Sequence, residues 1–253
     1  IVQSLVGSEM CIRDSLYRDN PSLTDEILKE LKTLISRREK GEPLAYIINK
    51  IGFWNLSLYV DHNVLVPRPE TETLVEVVLG IFDSKKRKIL DLGTGSGAIG
   101  LSLAKERANW EVVCSDLSYK ALKVTSKNMN QSSLNVHLVN SNWLSAFKNE
   151  YFDVIISNPP YIDPSDPRVF SDGLRFEPIE ALVSDSAGLQ DIEYIVKESS
   201  EILNNTGYLF IEHGYDQCDD VVSIFKNYGF SQIRIFKDLN GDDRVCSGKL
   251  NRC

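Results

Sequence analysis

Asn158-Pro159-Pro160-Tyr161 is the stretch of this chain whose residue types and spacing could do chemistry. It follows Tyr151-Phe-Asp-Val-Ile-Ile-Ser157, in which Val154, Ile155 and Ile156 form a β-branched run expected to be a buried strand. Neither proline can donate a backbone hydrogen bond, and each holds the residue before it extended, so the ladder must stop there. A strand ending in a stiff turn that carries an amide and an aromatic ring offers a rigid edge on which to hold a substrate. The alternative is an ordinary turn, because Asn-Pro is a common turn dipeptide.

A second stretch argues for the first reading. Ile89-Leu-Asp-Leu92 runs into Gly93-Thr94-Gly95-Ser96-Gly97 and then into the apolar helical segment from Ala98 to Ala104. Glycines there permit a sharp turn and let a ligand approach bare backbone. The spacing is Gly-x-Gly-x-Gly, which differs from the dinucleotide fingerprint, and no Lys-Ser/Thr follows, which excludes a Walker-type phosphate loop. The next strand ends in Cys114-Ser-Asp116, where an acid can accept hydrogen bonds from both hydroxyls of a ribose. Capping the following helix is the alternative for Asp116. An adenosine without phosphates fits this loop best and points to S-adenosylmethionine. Trp143, after the third strand, either packs in the core or lies against the adenine. The loop, Asp116, Trp143 and the Asn158 corner all fall at carboxyl ends of strands, where open α/β sheets bind ligands.

The elements that must carry these groups are legible. From Lys88 onward strands are expected near 88–92, 111–115, 136–139, 153–157 and 207–212, with helices near 98–107, 118–130, 189–203 and 216–228. That alternation implies a parallel sheet with crossover helices. Residues 232–236 and 244–248 flank Asn240-Gly241, a reverse-turn signal that closes the sheet with an antiparallel pair; that turn and Arg244 read as structural. Upstream, Ile51 to Val60 alternates as a hairpin. Pro69 suits the first turn of a helix that buries Leu74, Val75, Val78, Leu79 and Phe82. A further helix, capped by Thr24 or Ser22 and stopped by Gly41, carries the stripe Ile27, Leu28, Leu31, Leu34, Ile35. The stretch 1–15 has no periodic pattern, reads as non-native and is set aside. The expected organisation is a remnant helical segment over 1–48, a hairpin linker over 49–66 and a catalytic domain over 67–253.

Composition narrows the function classes. The 253 residues carry a net charge of -8, so a broad basic face for nucleic acid is not expected. No apolar run reaches the ~18 residues that span a bilayer, no intact secretory signal stands out, and a cytoplasmic protein is expected. Five scattered cysteines without a Cys-x-x-Cys pair imply thiols, and neither they nor the three isolated histidines suggest a metal site.

With these residues in view, the sequence closely resembles the release-factor glutamine methyltransferases, of the class I S-adenosylmethionine-dependent fold (Rossmann-like). The resemblance rests on Gly41-Glu-Pro-Leu-Ala-Tyr46, Val64-Leu-Val-Pro-Arg-Pro-Glu-Thr-Glu72, Asp91-Leu-Gly-Thr-Gly-Ser-Gly97, Ser157-Asn-Pro-Pro-Tyr-Ile-Asp163, Arg175-Phe-Glu-Pro178, Glu212-His-Gly214 and Asp238-Leu-Asn-Gly-Asp-Asp-Arg244. It covers roughly residues 40 to 249. It implies that Gly93, Thr94, Gly95, Ser96, Gly97, Asp116, Trp143 and Asn158 contact S-adenosylmethionine. It further implies that Asn158, Pro159, Pro160 and Tyr161 hold a glutamine of a peptide chain release factor. Asn158, Pro159 and Tyr161 would be the catalytic set. The Asn158 side-chain oxygen and Pro159 carbonyl would each accept one amide hydrogen, fixing a poor nucleophile beside a sulfonium. Rival readings keep the chemistry on a ribosomal-protein glutamine, or move it to the exocyclic amine of a flipped-out adenine, which acidity disfavours. Glu177 and Arg175 either line the substrate groove or pair with each other on the surface.

Overall fold

A computed structural model describes residues 24–170 and 173–251. Two compact units divide at Glu42/Pro43. In the first, α1 spans Asp25–Glu39, and Thr24 caps it by accepting from the Ile27 N–H at 3.3 Å. Asp25 and Glu26 lie at its positive end, and Gly41 follows it with φ +88°. Ile27, Leu31 and Ile35 of its apolar stripe are exposed. The stretch 1–15 and the alternative cap Ser22 fall outside the described residues.

The second unit opens with α2 (Leu44–Ile48) and the hairpin β1 (Ile51–Phe53) and β2 (Leu56–Leu58). A single 3-10 turn, Pro69–Thr71, leads into α3 (Glu72–Ile81), as the proline at its start favours. There follow β3 (Lys88–Leu92), α4 (Ala98–Glu106), β4 (Glu111–Asp116), α5 (Tyr119–Gln131), β5 (His137–Asn140) and β6 (Phe152–Ser157). The chain ends through α6 (Gln190–Ile202), β7 (Leu203–Glu212), α7 (Cys218–Asn227), β8 (Phe230–Lys237) and β9 (Asp243–Leu250). The large sheet runs β5-β4-β3-β6-β7-β9-β8. Strands β3 to β7 pair in parallel, while β9 is antiparallel to both β7 and β8. The expected parallel sheet with an antiparallel closing pair is the observed one. A short helix at 44–48 and the 3-10 turns of 167–181 have no counterpart in the periodicity.

Helices cover both faces of the sheet, which is why its central strands read as continuous apolar runs. Val154 and Ile156 face α3 and α4, with Leu74, Val78 and Leu101. Ile155, one position out of phase, faces α6 and α7, with Ile192, Ile195 and Phe225. The strand order reverses between β3 and β6, and Leu92 pairs with Ser157 across that junction. The glycine loop and the Asn158 corner therefore leave the sheet side by side at one level.

Ile155 is fully buried in the central strand. Ile155→Ala is expected to cost about 2–5 kcal/mol through lost burial and a residual cavity, and Ile155→Val about 1 kcal/mol, both read from urea denaturation midpoints.

Candidate active site

Asp91 organises the glycine loop from below. It is fully buried at the end of β3; its Oδ2 accepts from the Thr94 hydroxyl at 2.6 Å and from the Gly100 N–H at 2.9 Å. Oδ1 has no hydrogen-bond partner among the described residues. Thr94 and Ser96 thus turn into the fold, and Gly97 starts α4. Asn128, buried on α5, donates to the Ser96 carbonyl at 2.8 Å and to the Tyr59 carbonyl at 2.9 Å, tying loop, helix and hairpin segment together.

A cavity of about 640 Å³ opens over this loop, lined among others by Gly93, Gly95, Asp116, Trp143, Asn158 and Pro160. Of the residues singled out from the sequence, these six meet at one surface. Thr94, Ser96, Gly97, Pro159 and Tyr161 are not part of that lining and belong to the same loop and corner. Leu117, Ser141 and Asp191 also line the cavity, and nothing in their local sequence marks them.

Each wall has a cause. Gly93 has φ +68°, and a Cβ there would stand 3.4 Å from the Trp143 ring, so the indole lies directly against the loop backbone. Trp143, itself at φ +45°, is held by donation from its indole N–H to Asp191 Oδ1 at 3.1 Å. Asp116 accepts from the Gly95 N–H at 2.9 Å through Oδ2 and from the Ser118 N–H at 2.8 Å through Oδ1. It therefore braces the loop while bordering the cavity. Burial raises its pKa, against the pull of those two donors.

The Asn158 side chain donates through Nδ2 to Thr71 Oγ1 at 3.1 Å. Its Oδ1 has no partner among the described residues and is the acceptor the corner can offer. Tyr161 donates its hydroxyl to Glu212 Oε1 at 3.2 Å, and burial pushes its phenol well above the ordinary range, so it stays neutral. The Tyr161 carbonyl accepts from Gln217 Nε2 at 3.0 Å, which also donates to the Ala187 carbonyl at 3.0 Å. Gly188, at φ +81°, comes so close to the Tyr161 carbonyl that a Cβ would overlap it.

The approach segment is anchored from outside the cavity. The Tyr46 hydroxyl donates to the Val64 carbonyl. Glu177 is buried and accepts from the Val66 N–H at 2.9 Å and from the Arg68 guanidinium at 2.5 Å. Of the roles left open for Glu177, pairing with Arg175 is not the one adopted; Arg175 stacks over Phe176, 5.1 Å from the ring centroid. Arg244 is structural as expected, donating to Asp238 at 3.0 Å and to the His213 carbonyl at 3.2 Å.

The family profile "Methyltransferase small domain" matches residues 70–171, and "PrmC N-terminal domain" matches 13–48. A release factor glutamine methyltransferase of Buchnera aphidicola subsp. Schizaphis graminum is 46% identical over 228 residues, covering 90% of this chain and 82% of that protein. This chain belongs to the release factor glutamine methyltransferase family. Another member, from Salmonella typhimurium, is 41% identical over 90% of this chain and 83% of its own length. Among solved structures, a methyltransferase from Pyrococcus furiosus superimposes with a TM-score of 0.60 at 16% identity, covering 87% of this chain and all of that one, a likeness of fold. Membership makes the chain an S-adenosylmethionine-dependent methyltransferase. The site agrees with that cofactor: bare glycine backbone, a carboxylate and an indole edge surround a space of suitable size, with no lysine or arginine among its walls except Lys120 to meet a phosphate. Among the described residues no helix is long and apolar enough to cross a membrane.

Burial raises the Asp91 pKa to about 6. The folded chain therefore binds this proton more tightly than the unfolded chain, whose aspartates titrate near ~3.9. The stability this carboxyl contributes is present at low pH and lost as pH rises through that interval. Relative to Asp91→Asn, the wild type is expected to lose roughly 2–3 kcal/mol between pH of about 4 and about 7, measured by urea denaturation at both values.

Proposed function

We propose that this chain methylates the side-chain amide nitrogen of a glutamine in a peptide chain release factor. The observation that carries the proposal is the state of Asn158: its NH2 group is engaged by Thr71, its oxygen is unengaged, and it lines the same cavity as Gly93, Gly95, Asp116 and Trp143. S-adenosylmethionine supplies an electrophilic methyl group on a sulfonium. Gly93 and Gly95 would hold it along the loop backbone, with Asp116 toward the ribose hydroxyls and Trp143 beside the adenine.

An amide nitrogen is a weak nucleophile because its lone pair is delocalised into the carbonyl. Orientation therefore matters more than a strong base. Asn158 Oδ1 and the Pro159 carbonyl each accept one hydrogen of the glutamine NH2, which fixes the nitrogen and stabilises positive charge as it develops. Pro159 and Pro160 carry no N–H, so the corner presents acceptors without competing backbone donors. Tyr161, neutral and tethered to Glu212, supports the corner from behind. The acid-rich surface, with a net charge of -8, favours a protein over a duplex as partner.

Asn158→Ala is expected to lower turnover by about 100- to 1,000-fold, the usual cost of removing one charge-stabilising group, with S-adenosylmethionine affinity less affected than turnover. Methyl incorporation from labelled cofactor into a release factor measures the first and calorimetry the second. Undiminished turnover, or incorporation into DNA with none into the release factor, overturns the proposal.

A further inference from the structure

Trp143 and Asn158 line one cavity, yet the sheet is a long ruler between them. Trp143 follows β5, at one edge of the sheet, and the Asn158 corner follows β6, with β4 and β3 in between. Three strand spacings amount to ~14–15 Å, and the twist between neighbours accumulates over each step. A reaction whose partners must meet within ~3–3.5 Å needs a more direct tie between the two seats. The segment 182–191 provides one.

The tie can be followed bond by bond. The indole N–H of Trp143 donates to Asp191 Oδ1 at 3.1 Å, and the Asp191 N–H, at the start of α6, donates to Ser184 Oγ at 3.0 Å. Ser184 is 3% exposed and donates its own N–H to the Ile162 carbonyl at 3.0 Å. Ile162 in turn donates to the Leu182 carbonyl at 3.0 Å, so the residue after Tyr161 is paired through both its backbone polar groups to this segment. Gln217 adds a second hold, donating to the carbonyls of Tyr161 and Ala187 at 3.0 Å each. An indole N–H can only donate, so the link from Trp143 to Asp191 has one polarity. Trp143 lies at φ +45°, and Ser186 and Ala187 both lie at φ +56°. Non-glycine residues persist in that region where their surroundings over-determine them, as at functional sites.

We propose that Asp191 and Ser184 are positioning residues for methyl transfer: they fasten the indole wall beside the cofactor to the backbone of the glutamine corner, so that one strap of chain sets the spacing between methyl donor and acceptor. This rests on the reading that Trp143 lies beside the adenine and Asn158 holds the glutamine. Asp191 borders the cavity, whereas Ser184 is not among its walls and acts only through the strap. If Asp191 served α6 alone, its loss would be confined to stability. If it served the adenine pocket alone, excess cofactor would restore turnover. As a spacer it lowers kcat even with the cofactor site full, because a displaced indole shifts the sulfonium relative to the amide nitrogen.

The test uses the full chain, labelled S-adenosylmethionine at saturation and a release factor. Asp191→Ala is expected to lower kcat by about 10- to 100-fold, as small misplacements of reacting groups do. Ser184→Ala, remote from both seats, is expected to lower kcat in the same way, and the double variant to lose little more than Asp191→Ala, because both changes break one strap. Asp191→Asn, whose amide oxygen can still accept from the indole, is expected to recover most of kcat. Tryptophan-selective 15N labelling gives a readout independent of turnover. The chain has three tryptophans, and Trp143→Phe assigns the indole N–H resonance of Trp143, which should move in Asp191→Ala and in Ser184→Ala and return toward its wild-type position in Asp191→Asn. Wild-type kcat in either alanine variant, multiplicative losses in the double variant, or an unmoved Trp143 resonance overturns the inference. A wild type that transfers no methyl to the release factor overturns the functional reading instead, and the resonance in Ser184→Ala then still decides whether the strap sets the indole.

Discussion

The pairing of Leu92 with Ser157 across β3 and β6 sets the geometry on which the rest of the site depends. It is reinforced by the Ser157 hydroxyl, which donates to the Leu92 carbonyl at 2.9 Å. Because the strands are parallel and adjacent, the glycine loop and the Asn158 corner emerge from the sheet at the same height. A slip of one residue would turn Ile155 and Ile156 to the opposite faces and bring the corner out of line with the loop. Two apolar layers, one on each face, specify the register. The cavity is thus a product of core packing beneath it as much as of the residues that line it.

Most of the fold could be read from the chain because its central strands and helices obey strong periodicities. The run at 153–157, the apolar stripe at Leu74, Val75 and Val78, and the Asn240-Gly241 turn each carry their own local signal, and each lies where that signal points. The described residues of 163–189 do not. They are built into 3-10 turns and a kinked helical turn at Asp185–Gly188, with Ser186 and Ala187 at positive φ, conformations with no period to detect. Their shape is set by contacts with distant residues, such as Glu177 with Arg68 and Gln217 with Ala187.

The site was legible to a similar depth. Glycines, an acid at a strand end and an Asn-Pro-Pro-aromatic corner announce themselves by type and spacing. Their supports do not. Thr71, Asp91, Asn128 and Asp191 act through hydrogen bonds to residues brought close by folding, or through burial that sequence does not display. Asp91 left one trace: an acid inside the apolar run Ile89 to Leu92, which is affordable only with donors waiting for it. Thr71 sits in a turn rich in polar residues, and Asn128 sits on a helix among other polar residues, so neither differs locally from a solvent-facing neighbour.

Gly188 has a consequence for how this protein can vary. With the Tyr161 carbonyl against its α-carbon and Gln217 bridging that carbonyl to Ala187, the turn at 185–188, the start of α7 and the corner are locked into one rigid body. No side chain can be added at 188 without displacing the corner itself. His62, Pro178 and Glu180 line the same cavity without taking part in that lock, so its walls can be reshaped there with the seat left in place.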